Sequence, residues 1–134
     1  MMKEKPAPVI PVYVYVYGDP CAAETVPTKY GTMLKPAPYT RYEFEIAGKK
    51  YEFESYDLPE DDIDILEEYI RETLFLNDIR EGDEEGHPAV LNDVSGFCYN
   101  IEEYKFLVPE HVAMELLEYL EKLSSKTKTN MEKN

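Results

Sequence analysis

The alternating segment Val12–Tyr17, Val-Tyr-Val-Tyr-Val-Tyr, constrains the fold of this chain more than any other. Valine and tyrosine favour extended backbone, and alternation places the valines on one face of a strand and Tyr13, Tyr15 and Tyr17 on the other. A strand with two apolar faces is either central and covered on both sides, or lies at an edge and pairs with a second copy. Both alternatives stay open at the level of sequence.

A hairpin and a helix are predicted after this strand. Apolar residues between 42 and 53 alternate with four glutamates on both sides of a turn at residues 47–49. The hairpin therefore has one core face and one acidic face. The glutamates are Glu43, Glu45, Glu52 and Glu54. The helix is predicted to begin with Asp57 as its N-cap and to end near Leu76.

A second unit of the same kind follows. Residues 97–101 and 104–108 are predicted as two short strands around Glu102-Glu103, and a helix runs from Pro109-Glu110 to about Leu123. The predicted fold class is α+β: an antiparallel sheet of about five strands with two helices on one face, in the order β-(ββα)-(ββα). Pro59-Glu60 and Pro109-Glu110 open both helices, which indicates either an internal repeat or chance.

The chain length of 134 residues fits one domain. Residues 1–8 are predicted to be an extended lead-in, residues 9–123 a single α+β domain, and residues 124–134 a disordered polar tail. Residues 18–38 contain several glycines and prolines. Because a structureless connection of that length is unusual in a compact domain, they form either a functional loop or a wrapping segment.

Composition narrows the location of the protein. No run approaches the roughly 18 apolar residues of a membrane span, and the first residues lack the apolar stretch of a signal peptide. A soluble, cytoplasmic protein without a membrane partner is therefore expected. The absence of Gln and Trp beside abundant Glu, Lys and Tyr indicates a thermophilic source. The spacing of Cys21 and Cys98 does not decide between two thiols and a disulfide.

Acidic residues are concentrated in one segment. Residues 57–85 contain thirteen of the 28 acidic residues and only two basic ones, a net −11 of the chain's −14. Such a surface repels nucleic acid and attracts basic proteins, so a basic protein partner is predicted and direct nucleic-acid binding is not. On the predicted helix, Asp61, Asp64, Glu68 and Glu72 lie opposite the core stripe. Their axial spacing of about 4.5 to 6 Å could imitate a phosphate backbone.

The same helix carries a second apolar strip beside its core stripe. The core stripe consists of Ile63, Leu66, Ile70 and Leu74. Ile65, Tyr69 and Leu76 form the second strip, which either widens the core or faces another subunit. A homodimer through this strip or through the Val/Tyr strand is therefore an alternative hypothesis.

No motif of enzyme chemistry is present in the sequence. Cys98 with His87 or His111 is the only conceivable Cys–His pairing, and nothing in the sequence brings these residues together. The acidic loop at residues 81–88 lacks the calcium-loop pattern. No catalytic residue, metal ligand or cofactor is predicted, and enzyme activity is left uncertain.

The predicted function is that of a small acidic, non-enzymatic binding protein that engages a basic protein surface. Nucleic-acid mimicry by a viral or mobile-element accessory protein is its narrower form. The alternative is a self-associating structural or assembly protein. A third hypothesis is a small enzyme or ligand binder whose site the sequence does not reveal.

Overall fold

The computed structural model describes residues 8–79 and 89–132. Most of the predicted lead-in at residues 1–8, the acidic loop at residues 81–88 and the end of the predicted tail lie outside the described residues. Within them the chain forms seven strands and two long helices. The strands are β1 (Val9–Asp19), β2 (Ala23–Thr28), β3 (Gly31–Pro36), β4 (Tyr39–Ile46), β5 (Lys49–Glu54), β6 (Val90–Ser95) and β7 (Asn100–Pro109).

Five of the strands form one antiparallel sheet in the spatial order β5-β4-β1-β7-β6. The Val/Tyr strand β1 lies in the centre, because it pairs with β4 along one edge and with β7 along the other. Val12 and Val14 are buried, whereas Tyr13 is partly exposed on the opposite face. The edge-strand alternative is therefore wrong: no free edge of β1 is left for pairing with a second copy.

The first helix, α1, consists of three consecutive stretches. Residues Glu60–Glu68 are α-helical, Tyr69–Leu74 form a π-helical stretch, and Phe75–Asn77 close the helix as a last α-helical turn. Pro59 occupies the N-cap position with extended backbone, and its carbonyl oxygen accepts hydrogen bonds from the N–H groups of Asp62 and Ile63. The predicted N-cap was wrong, because Asp57 belongs to a separate 3₁₀ turn, Ser55–Asp57.

The second helix, α2, spans Glu110–Glu132 and packs antiparallel to α1. The rings of Tyr69 and Tyr119 have centroids 5.0 Å apart, and Lys126 Nζ lies 3.1 Å from Asp62 Oδ2. The helix thus continues past Leu123, where the sequence predicts its end, into the predicted tail. Extending an existing helix needs no new nucleus, and the Lys126–Asp62 ion pair lies along the extension.

Both helices cover the same face of the sheet, and the core lies between these two layers. The α+β class, the five-stranded sheet and the two helices on one face are confirmed. The core residues are Val12, Val14, Tyr42, Phe44, Ile46, Phe53, Leu58, Leu66, Ile70, Leu74, Ala89, Tyr104, Phe106, Val108, Val112, Ala113, Leu116, Leu120 and Leu123. None of the helices within residues 8–79 and 89–132 has the length and apolar character needed to cross a membrane.

The second ββα unit differs in detail from its prediction. Glu102 and Glu103 lie inside the continuous strand β7, and the partner of β7 is β6, which precedes the predicted first strand. The two units also attach to β1 differently, the first through its leading strand β4 and the second through its trailing strand β7. This difference in attachment does not favour the internal-repeat interpretation.

Residues 18–38 were predicted as a loop or wrapping segment. Gly18 and Asp19 instead complete β1, and residues 20–38 form a projecting β-hairpin that we call the arm. β2 and β3 pair only with each other, and every residue in them except Val26 is exposed. A disulfide between Cys21 and Cys98 joins the base of the arm to the β6–β7 turn, with a Cα–Cα distance of 5.2 Å. Tyr56 donates a hydrogen bond from its hydroxyl to the carbonyl oxygen of Ala37. The arm is therefore fixed at its base and free along its length.

Candidate functional site

The predicted acidic residues lie on opposite sides of the sheet. The four carboxylates of α1 lie on the helix side, and we call them the helix-layer acidic surface. Its residues are Asp61, Asp64, Glu68 and Glu72. The four hairpin glutamates alternate with buried residues and lie on the other side, which we call the open face. The structure therefore does not bring the eight residues into one surface.

On the helix-layer acidic surface, all four carboxylates are exposed. None of the ion pairs between described residues includes them. Their neighbours on α1 differ, because Asp62 pairs with Lys126 and Glu67 accepts a hydrogen bond of 3.0 Å from the Tyr42 hydroxyl. Structural roles thus account for Asp62 and Glu67 but leave the other four carboxylates facing solvent.

The second helix adds a carboxylate that the sequence analysis missed. Burial raises the pKa of Tyr69, and the nearby charges of Glu115 and Glu68 raise it further. Glu115 on α2 and Glu68 on α1 therefore both lie near Tyr69, and both are exposed, so the acidic surface continues from α1 onto α2. Only the antiparallel packing at Tyr69 and Tyr119 reveals this neighbour, and nothing in the local sequence around Glu115 indicates it.

On the open face, cations offset most of the glutamates. Arg41 lies opposite Glu54 in the β4–β5 register, and its Nε is 3.8 Å from a carboxylate oxygen of Glu43. Lys50 lies directly opposite Glu45. Salt bridges at exposed positions contribute little to stability, but they lower the net charge that a partner would meet. The open face is therefore less negative than its glutamates alone suggest.

One like-charge pair remains on the open face. Glu43 and Glu52 are direct cross-strand neighbours in the β4–β5 register. Burial raises the pKa of Glu43, and a hydrogen bond with Glu52 and its charge raise it further, while Arg41 opposes the shift. Like charges directly opposite each other destabilise a sheet, so this pair costs stability at neutral pH.

Tyr13 and Tyr15 of β1 line a groove on the open face together with Lys50 and several acids. The guanidinium carbon of Arg41 lies 5.7 Å from the ring centroid of Tyr15, and Lys105 Nζ lies 5.5 Å from that of Tyr13. Tyr17 packs near Tyr39, with ring centroids 6.3 Å apart. The groove has a volume of about 290 Å³. Its lining includes Tyr13, Tyr15, Glu43, Glu45, Glu52 and Glu103.

The predicted apolar strip of α1 is interrupted. Ile65 and Leu76 are exposed, but Tyr69 between them is half-buried against Tyr119 of α2. The π-helical stretch that begins at Tyr69 also changes the angle between residues before and after it. Ile65, Tyr69 and Leu76 therefore do not form one continuous exposed stripe.

The described residues offer binding chemistry based on charge and aromatic rings. Among residues 8–79 and 89–132, no three His, Cys, Asp or Glu side chains gather closely enough to hold a metal ion. Cys98 is bonded to Cys21, so it is not a free thiol that could pair with His111. Comparisons with protein-family models, with curated proteins and with solved structures gave no significant match.

Proposed function

We propose that this protein is a non-enzymatic binding protein whose helix-layer acidic surface engages a basic surface of another protein. The observation that carries the proposal is the contrast within α1. Four carboxylates face solvent without an ion pair among the described residues, whereas Asp62 and Glu67 on the same helix have structural partners. The net charge of −14 adds long-range attraction for basic proteins and repulsion from nucleic acid.

The geometry of α1 supports nucleic-acid mimicry as the form of this binding. Asp61, Asp64 and Glu68 precede the π-helical stretch, so the rise of an α-helix separates them by about 4.5 and 6 Å along the axis. Phosphates along one DNA strand are about 3.4 Å apart along the axis. A nucleic-acid-binding protein that spaces its Lys and Arg residues for phosphates would meet carboxylates at comparable intervals.

The proposal includes a cytoplasmic location. Disulfides are rare in cytosolic proteins of mesophiles, but intracellular proteins of hyperthermophiles are rich in them. The Cys21–Cys98 disulfide and the composition, which lacks Gln and Trp, both fit a thermophilic cell.

A capture experiment with matched variants tests the proposal. The immobilised protein is exposed to lysate of the source cell at about 50 mM and about 500 mM salt, because exposed charge contacts weaken with ionic strength. The helix-layer variant carries Asp61→Asn, Asp64→Asn, Glu68→Gln and Glu72→Gln. The control variant carries Glu→Gln at the four hairpin glutamates and removes the same charge from the open face.

The expected result is capture of a basic nucleic-acid-binding protein by the wild type and by the control variant. Capture should fail at high salt, with the helix-layer variant, and when duplex DNA is added as a competitor. Capture that persists with the helix-layer variant, or that the control variant abolishes, would contradict the proposal. Circular dichroism of both variants establishes that the fold is retained.

A further inference from the structure

The arm differs in charge and polarity from the rest of the chain. Residues 20–38 contain one Glu and two Lys, a net +1 in a protein of −14. The β2–β3 register places only uncharged residues on one side of the hairpin. They are Ala23, Thr25, Pro27, Thr32, Leu34 and Pro36. At the tip, Tyr30 is 92% exposed and lies beside Lys29, whose Nζ is 5.9 Å from the ring centroid.

A two-stranded hairpin of this kind lacks the packing that stabilises other strands. An isolated hairpin is marginal in water and needs further strands or a packed face. In the arm, Leu34 is 72% exposed and Met33 is 55% exposed. Large apolar side chains that project on an arm are typical of a surface that contacts another molecule.

The groove on the open face complements the tip of the arm. In the strand registers, Glu43 and Glu103 flank Tyr15 on either side, and Glu52 lies beyond Glu43. A row of three carboxylates and one aromatic ring thus crosses four strands. Arg41 lies 3.8 Å from Glu43, but Glu43 and Glu52 are still direct cross-strand neighbours of like charge. A lysine with a neighbouring tyrosine supplies a further cation for this pair and a second ring to pack on Tyr13 and Tyr15.

We propose that the arm is a self-association element: the Lys29–Tyr30 tip of one copy docks in the open-face groove of a second copy, whose arm docks reciprocally. Charge complementarity selects a second copy of this chain as the occupant. Two molecules of net charge −14 repel each other, and the arm, with its net charge of +1, is a segment that can approach the acids of the groove with attraction. The reciprocal contact is isologous and closes as a two-fold dimer.

The dimensions are compatible with reciprocal docking. β2 has six residues, so the arm extends about 20 Å from its base. Along β1, the distance from Asp19 at the base of the arm to Tyr15 in the groove is about 13 Å. The high exposure of Tyr30 shows that the tip does not occupy the groove of its own chain. The helix-layer acidic surface lies on the other side of the sheet and is left uncovered by this dimer.

Sedimentation equilibrium of the full chain, over protein concentrations up to about 1 mM, tests the proposal with a charge swap. Lys29→Glu and Glu52→Lys should each weaken dimerisation about tenfold, because each places like charges in contact. The double variant should recover most of the wild-type affinity. Lys122→Glu is the matched control: it makes the same charge change on α2, away from arm and groove, and should leave dimerisation unchanged.

A photo-crosslinking residue at position 30 gives a second measurement that does not depend on a charge change. In a mixture of isotopically light and heavy protein, crosslinks should join light to heavy copies and map to β1, β4, β5 or Glu103. A wild type that remains monomeric up to about 1 mM would overturn the proposal. Crosslinks within one chain, or a dimer that Lys29→Glu and Lys122→Glu affect equally, would overturn it as well.

Discussion

Removal of the Cys21–Cys98 disulfide should destabilise the protein through its unfolded state. The two cysteines are 77 residues apart in sequence, and their bond encloses β2 to β6 together with α1. The chain-entropy relation for a closed loop of this length gives about 4.5 kcal/mol. Neither cysteine is buried, so replacement by serine removes little packing and leaves loop closure as the main contribution.

The double variant Cys21→Ser/Cys98→Ser is measured against the oxidised wild type by urea denaturation at 25 °C. Its free energy of unfolding should be lower by about 4 kcal/mol. The entropy of unfolding of a chain this long is about 0.28 kcal/mol/K, so the melting temperature should fall by about 15 °C. The m-value should rise, because an unfolded chain without the crosslink exposes more surface.

Reduction provides the matched control. Wild type in dithiothreitol should match the double variant in stability, and dithiothreitol should not change the double variant. A loss of less than about 1 kcal/mol would refute loop closure as the main contribution of this bond. A wild type that unfolds on reduction while the double variant stays folded would also refute it.

Two pH-dependent predictions concern stability. The pKa of Glu43 is raised above its ordinary value of 4.5, so the folded state binds the Glu43 proton more tightly than the unfolded state does. The folded state therefore loses stability as the pH rises from the ordinary pKa through the raised one. Glu43→Gln should therefore raise the free energy of unfolding by about 0.5 kcal/mol at pH 7 and leave it unchanged near pH 4. The control is Glu54→Gln: Glu54 lies opposite Arg41, so its replacement should not raise the free energy of unfolding at either pH. Burial raises the pKa of both Tyr104 and Tyr119 from 10.0 to about 12, so stability should fall between about pH 10 and 12 as the unfolded chain ionises first. Phenylalanine at both positions should flatten that decline in urea titrations, and an unchanged slope would contradict the assignment.

Period-two alternation and helical spacing in the sequence predict β1, the β4–β5 hairpin and the core stripes of both helices correctly, whereas residues 97–99 of the strand predicted at 97–101 lie outside any strand. Val12 and Val14 are buried as their alternation with tyrosine predicts, and Leu66, Ile70 and Leu74 face the core as a helix stripe. The prediction of the helix start fails at Asp57, because Pro59 already supplies the cap geometry two residues later. Local preference therefore identifies the elements, while their ends depend on neighbours in the fold.

The arm and the disulfide were harder to predict, each for a physical reason. Pro27 lies in the middle of β2 and reads as a strand breaker, but the hairpin tolerates it because both of its strands are edges. The sequence around the turn at Lys29-Tyr30-Gly31 indicates a hairpin only weakly, although the residues on either side of it pair as β2 and β3. Cys21 and Cys98 meet only because β1 pairs with β7, and no spacing rule encodes that long-range contact.

The central position of β1 has a consequence for how the protein is made. β1 leaves the ribosome before its partner β7, which lies about 90 residues later in the chain, so at 5–20 residues per second β7 follows about 5 to 20 s behind. Throughout that interval the Val/Tyr segment has an unpaired edge and the composition of an aggregating strand. Pro8 and Pro11 at its start restrict pairing with other nascent chains, in the manner of gatekeeper residues. The central strand of the finished sheet is thus also a strand that keeps an unpaired edge for most of the time in which the chain is synthesised.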